Sequence, residues 1–215
     1  RHDPDRLIRF VQVSTDEVYG SLPLDAPDQH FTEASPLSPN NPYAASKAGA
    51  DLMVQAYHHT FGVDVVTARC CNSFGPYQHP EKLIPRFVTN LLLNEKVPVY
   101  GDGKNVRDWL NVHDQCRAIL AAWQHGKPGA VYNIGGNNER SNLELTRTLL
   151  EILGQDDAMI DFVADRPGHD RRYAIDADRI TRELGWSPRE NDWPGALERT
   201  AAWYRDHEDW WRKRR

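Results

Sequence analysis

The sequence predicts an α/β protein in which part of a doubly wound parallel sheet is interleaved with a smaller α+β lobe. Three observations carry that expectation. The segment LIRFVQVS is apolar and β-branched with no polar alternation, the pattern of a strand covered on both faces. A long loop, a helical stretch and a second apolar strand follow it, which makes a βαβ unit. Beyond about residue 75 the strand and helix signals shorten and mix, as in a separate lobe. The boundary is expected between 1–74 and 75–215, with about 107–135 returning to the first unit.

Each element has a local reason. The polar lead RHDPDR supplies no strand to pair with LIRFVQVS, so the chain is expected to enter a longer fold part-way. After the Pro-rich loop from Leu22 to Pro42, YAASKAGADLMVQAYHHTFG reads as a helix, with Asn40 or Asn41 near its cap and Gly62 as its stop. VDVVTARC is the second buried strand. A Pro- and Gly-rich stretch, FGPYQHPEKLIP, leads to a helix from about Arg86 to Asn94 and a short VPVYGDG strand and turn. DWLNVHDQCRAILAAW mixes both signals, and VYNIGG is a short strand. SNLELTRTLLEILG is an amphipathic helix with Ser141 or Asn142 as N-cap and Gly154 as stop. DADRITRELGW and GALERTAAWYRDHEDWW complete the helices, and WWRKRR reads as a solvated tail.

Composition narrows the function. A formal charge of -5 and a pI near 6.0 give no global basic surface for nucleic acid or an anionic membrane. Cys70, Cys71 and Cys116 form neither a disulfide framework nor a zinc-ligand spacing, which fits a cytoplasmic protein. No apolar run reaches the roughly 20 residues that span a bilayer. His58, His59 and His113 lack partners at ligand spacing, so no metal is expected.

Two constellations could carry chemistry. Tyr43 and Lys47 lie one helical turn apart on a shared face, where an ammonium lowers a phenol's pKa and lets it act as a base. The same spacing is common on surface helices. Ser14, Thr15, Asp16 and Glu17 follow a buried strand, at the end where open parallel sheets bind ligands. Adjacent carboxylates there can hold different protonation states, one donating and one accepting. A helix cap or solvated turn would use the same residues.

Taken in order, VSTDEVYG, PYAASK, NSFGPYQHPEKLIP, NVRDWL and DRPGHDRRYAID resemble the dTDP-glucose 4,6-dehydratases, members of the extended short-chain dehydrogenase/reductase family. The resemblance runs over nearly the whole chain. It implies a Rossmann-like fold, in which 1–74 is the carboxy-terminal half of a dinucleotide-binding domain and 75–215 is mainly a substrate-binding lobe. The amino-terminal NAD-binding half is then expected to lie outside these residues, because YGDGKN and NIGGNN are glycine turns that open no phosphate-binding helix.

The resemblance also assigns roles. NAD oxidises carbon 4 of the glucose, with Tyr43 as base, Lys47 holding the phenolate and the nicotinamide ribose, and Thr15 bonded to the same hydroxyl. Glu17 takes the carbon 5 proton, Asp16 protonates the departing carbon 6 hydroxyl, and the hydride returns at carbon 6. Asn72, Lys82 and Leu83 are expected near the diphosphate and sugar, and Pro98, Val99 and Tyr100 near the base. Arg107, Asn142, Arg166 and His169 are expected around the pyrophosphate and ribose, where the planar guanidinium suits phosphate. Arg107 could equally pair with Asp108, and His169 could be a plain loop histidine. Ser73 replaces a family asparagine at a cofactor-contacting position.

Competing readings remain: an epimerase or decarboxylase of the same fold, for which Asp16 and Glu17 are the wrong equipment, or an inactive fragment that binds only nucleotide or a partner. A homodimer is expected from the stripe Ala48, Leu52, Met53 and Ala56, which internal packing would explain as well.

Overall fold

The computed structural model describes residues 9–215. Residues 7 and 8, the start of the expected first strand, lie outside the described residues. From there β1 (Phe10–Thr15) runs into a 3-10 turn (Asp16–Tyr19), followed after the long loop by α1 (Pro42–Phe61) and β2 (Val65–Cys70). Asn41 caps α1 through its side chain, Pro42 occupies the first helical position, and Gly62 ends it in the left-handed conformation.

β3 (Asn72–Phe74) comes next, then α2 (Leu83–Leu92), β4 (Val97–Tyr100) and β5 (Val106–Asn111). α2 begins earlier than the expected Arg86, because Pro85 is tolerated in a first turn that needs no N–H from it. The mixed DWLNVHDQ signal resolves into β5 followed at once by α3 (Val112–His125), capped by Asn111. β6 (Val131–Ile134), β7 (Glu139–Ser141) and α4 (Asn142–Ile152) continue the chain. Then come β8 (Ile160–Val163), α5 (Asp178–Leu184), α6 (Gly195–Asp206) and α7 (Glu208–Arg212).

Strands β1, β2 and β6 form one parallel sheet in the order β1-β2-β6, while β3 and β5 pair in parallel and β5 takes β7 antiparallel. β4 and β8 form a separate parallel pair. The expected α/β class with parallel strands is what the chain adopts. One core gathers Val66, Ala68, Ala118, Ala122, Tyr132 and Ile134 with Ile175 and Ile180. The other gathers Phe74, Phe87, Trp109, Leu145, Leu149, Tyr204 and Trp211.

Three expectations are corrected. β1 is not covered on both faces: it pairs only with β2 among the described residues, and Phe10 and Val13 stay 44% and 43% exposed. The chain end is a solvated tail only over residues 212–215, since Trp211 is buried with its indole N–H on the Tyr204 carbonyl and Arg215, though exposed, meets Glu95 and Asn90. The last helix also breaks at His207 into α6 and α7, a bend that turns Trp211 inward.

α4 closes through its cap: the Ser141 hydroxyl accepts from the Glu144 N–H at 3.2 Å, and Glu144 Oε2 accepts from the Ser141 N–H at 2.7 Å. Ser141→Ala removes one half of this exchange. The expected loss is about 1 kcal/mol, read as a melting temperature lower by roughly 2–4 °C.

Candidate active site

The carboxyl end of β1 delivers the acidic triplet to a cleft. Thr15 caps the short 3-10 turn by accepting from the Glu17 N–H at 3.3 Å, which folds Asp16 inward and turns Glu17 toward α1. Glu17 accepts from Asn41 Nδ2 at 3.3 Å, so the residue that caps α1 also holds a carboxylate of the site. Asp16 is 1% exposed, and its only side-chain partner among the described residues is the Thr15 hydroxyl at 3.3 Å; Oδ2 has none. Burial, then the Glu17 and Asp108 charges, push its carboxyl from 3.8 up to about 8. Near neutrality Asp16 is therefore largely a neutral acid with a proton to give.

A cavity of about 590 Å³ opens in front of this turn, lined among others by Thr15, Asp16, Glu17, Tyr43, Asn72 and Ser73. Tyr43 enters from the first turn of α1 and is 55% exposed. Its phenol departs from the expected direction. Partial burial, then Glu17 and Asp16, raise its pKa, while the Lys47 ammonium donates to the Val13 carbonyl at 2.5 Å. Of the residues in the two constellations and the motif assignments, Ser14 and Lys47 line neither this cavity nor its neighbour. The Ser73 hydroxyl is buried without a partner among the described residues.

A second cavity of about 460 Å³ continues from the first and shares Glu17, Asn72, Lys82 and Arg166 with it. Leu83 reaches it from α2, Pro98, Val99 and Tyr100 from β4, Arg107 from β5, Asn142 from α4, and His169 from the loop after β8. Arg107 does not pair with Asp108. Asp108 turns the other way and accepts the Gly136 and Asn138 N–H groups at 2.7 and 2.8 Å. The Arg107 guanidinium instead donates to the Val106 and Asp170 carbonyls and lies 4.2 Å from the Tyr173 ring centroid. It is buried with no carboxylate in its grip among the described residues, and burial lowers its pKa.

His169 is more than a loop histidine: its Nδ1 meets Asp165 Oδ1 at 2.6 Å, its ring stands edge-on to Tyr100, and burial lowers its pKa. The Asn142 side-chain oxygen is buried at the cavity wall with no partner among the described residues. The two cavities together are a cationic groove at one end and an acid–phenol cluster at the other. Such a cleft can grip an anionic tail while moving protons on a polar head.

Sequence reasoning passed over several lining residues: Gln78, Arg86, Trp109, Asp170 and Tyr173. Gln78, Trp109, Asp170 and Tyr173 lay inside the quoted motifs, but nothing in the sequence said which motif positions face the cleft. No cluster of histidine, cysteine and acidic side chains able to hold a metal occurs among the described residues.

Residues 1–191 match the model of the GDP-mannose 4,6 dehydratase family. A dTDP-glucose 4,6-dehydratase of Actinoplanes sp. is 54% identical over 203 residues, covering 94% of this chain and 62% of that protein. The chain thus spans about three fifths of the length of the curated relatives it matches. Among solved structures, the Streptomyces venezuelae dTDP-glucose 4,6-dehydratase with NAD and TYD bound superposes with a TM-score of 0.92 at 53% identity, covering 96% of this chain and 63% of its own. A Bacillus cereus UDP-glucuronic acid 4-epimerase in complex with UDP-glucuronic acid and NAD superposes at 0.85 with 26% identity, covering 92% and 62%.

Proposed function

Because the chain belongs to the GDP-mannose 4,6 dehydratase family, we propose that the protein of which it forms part is an NAD-dependent dTDP-glucose 4,6-dehydratase, a hydro-lyase yielding dTDP-4-keto-6-deoxyglucose. The observation that carries the reading is the neutral Asp16 beside Glu17 at the mouth of the Tyr43 cavity. Elimination of water across carbons 5 and 6 needs a base for one carbon and an acid for the oxygen on the other. An epimerase needs neither, which ranks that alternative second.

The residues fit a dinucleotide. The Ser73 hydroxyl, buried with no partner among the described residues, and the Tyr43 phenol offer polar groups for a nicotinamide ribose or amide on the β1 side of the cleft, with the Lys47 ammonium one turn along α1 and outside the lining. NAD bound there would supply a reversible hydride acceptor for the carbon 4 oxidation and the return at carbon 6, and so would not be consumed. Tyr43 then takes the proton of the carbon 4 hydroxyl, which Thr15 orients. Lys47 leaves the Val13 carbonyl to stand beside the phenolate, which would reverse the raised phenol pKa. Glu17 removes the carbon 5 proton while Asp16 delivers its own to the departing hydroxyl.

The cationic end of the cleft is assigned to the nucleotide: Lys82, Arg107 and Arg166 to the diphosphate, with Asn72 and Leu83 toward the sugar. Pro98, Val99 and Tyr100 are assigned to the base, and Asn142 and His169 to the ribose side. We also read residues 1–74 as part of the dinucleotide-binding domain and 75–215 mainly as the substrate lobe, with 107–135 returning to the first. The pairing of β6 with β2 and the packing of α3 on β1 and β2 support that return.

No helix among the described residues is long and apolar enough to cross a membrane. A cytoplasmic setting is proposed on the three free cysteines, and a homodimer on α1, where Leu52, Met53, Tyr57 and Phe61 stay exposed and, of the stripe Ala48, Leu52, Met53 and Ala56, internal packing buries Ala48. Sedimentation equilibrium is expected to give a dimer for the full protein and a monomer for the Leu52→Glu, Met53→Glu double variant.

Incubation of the full protein with NAD and dTDP-glucose tests the activity. Mass spectrometry is expected to find the sugar nucleotide lighter by one water. An unchanged mass with a new epimer would establish the second reading, and an unchanged sugar would sink both.

A further inference from the structure

The loop 75–82 joins β3 to α2 and brings Gln78 and Lys82 to the cavity wall. Little of its own backbone holds it in place. Within it, Tyr77 adopts φ 64°, a left-handed conformation that a bulky residue keeps only where its surroundings hold it. What holds the loop comes from the far end of the chain. The Tyr204 hydroxyl on α6 is buried and donates to the Gln78 carbonyl at 2.6 Å, with the Gly75 carbonyl 3.4 Å away.

Above it, the Tyr77 ring leans on Trp203 and Trp210 with centroids 4.6 and 5.5 Å apart, and Trp203 stacks on His207 at 4.4 Å. Trp211 of α7 anchors the clamp from behind by donating to the Tyr204 carbonyl at 2.7 Å. On the cavity side, Gln78 Nε2 ties the loop to the Ser73 carbonyl at 2.9 Å. Tyr204 lines neither cavity, so any effect it has on a ligand passes through the loop.

We infer that Tyr204, backed by the aromatic cluster of Tyr77, Trp203 and Trp210, is a positioning residue that sets the loop 75–82 for nucleotide-sugar binding. The inference rests on the nucleotide-sugar reading of the cleft. The acid, the base and the phenol stand on β1, its following turn and α1, none of which the clamp touches. Loosening the loop therefore weakens binding and leaves the chemical step alone.

The test uses Tyr204→Phe, which keeps the ring and removes the donor, and separately Tyr77→Ala, at an exposed side chain whose loss does not open the core. Calorimetric titration with dTDP is expected to show roughly fivefold weaker binding for Tyr204→Phe. KM for the sugar nucleotide is expected to rise in step, with kcat unchanged. Tyr77→Ala is expected to move the same quantities in the same direction. A folded variant with a lowered melting temperature but wild-type dTDP affinity and KM would reduce Tyr204 to a core tyrosine and overturn the inference. A parallel fall in kcat would overturn it too, and wild-type protein with no dTDP affinity would overturn the nucleotide reading and this inference together.

Discussion

Asp16→Asn is expected to lower the rate of water elimination by about 10²- to 10⁴-fold, the usual worth of a positioned general acid. The amide keeps the shape of the side chain and the Thr15 contact but has no acidic proton for the leaving hydroxyl. Mass spectrometry of the product and of any accumulated keto sugar separates the two halves of the reaction. Oxidation at carbon 4 is expected to persist in the variant while dehydration slows.

The same substitution has a second, opposite consequence. Asp16 titrates at about 8 when folded against 3.8 for an ordinary aspartate, burial being the main cause. Its folded pKa is raised, so between those values the folded state binds more protons than the unfolded one. The stability this carries is complete below about 3.8 and is lost as pH rises through about 8. Melting temperatures measured across that window should fall more steeply with pH in the wild type than in Asp16→Asn. Equal slopes would mean that Asp16 is ionised in the folded protein and is not the acid. Catalysis that needs the protonated form should likewise decline as pH rises through about 8.

Arg107→Lys is expected to weaken dTDP binding by roughly 10- to 100-fold, the loss of one or more charge-assisted bonds. The guanidinium has a fixed place in the wall: two of its nitrogens are held by the Val106 and Asp170 carbonyls, and Tyr173 stacks beneath it. Its charge is left for an anion, since no carboxylate pairs with it among the described residues. Lysine keeps the charge but neither the planar fork nor the stacking. Calorimetric titration decides the matter, and a change smaller than about twofold would remove Arg107 from the pyrophosphate site.

Much of the fold was legible because its signals are local. Asn41, Gly62 and Ser141 bound their helices as their side chains or left-handed conformations dictate. The apolar run of β2 announces a strand covered on both faces, and all six of its residues are buried. The run at β1 has the same character yet lies partly in the open, since a strand's own residues do not specify what stands beside it. The solvated reading of WWRKRR held for its basic residues but not for Trp211, for a related reason. Basic residues mark a surface, but Trp211 found a core supplied by α2, β4 and α4.

The sequence by itself determined the class of the fold and which chemical groups stand at strand ends and on the first turn of α1: a carboxylate pair, a phenol, an ammonium and several guanidinia. These follow from periodicity, capping and motif order, all of which act over a few residues. Only the tertiary structure decided the state of those groups. Burial raises the Asp16 pKa, and the Lys47 ammonium is engaged by the Val13 carbonyl. The Gly136 and Asn138 amides claim Asp108 and so leave Arg107 without a carboxylate partner among the described residues, and Tyr204 reaches back 126 residues to the loop at Gln78. Charge and protonation depend on the dielectric and on partners distant in sequence, and those exist only once the chain has folded.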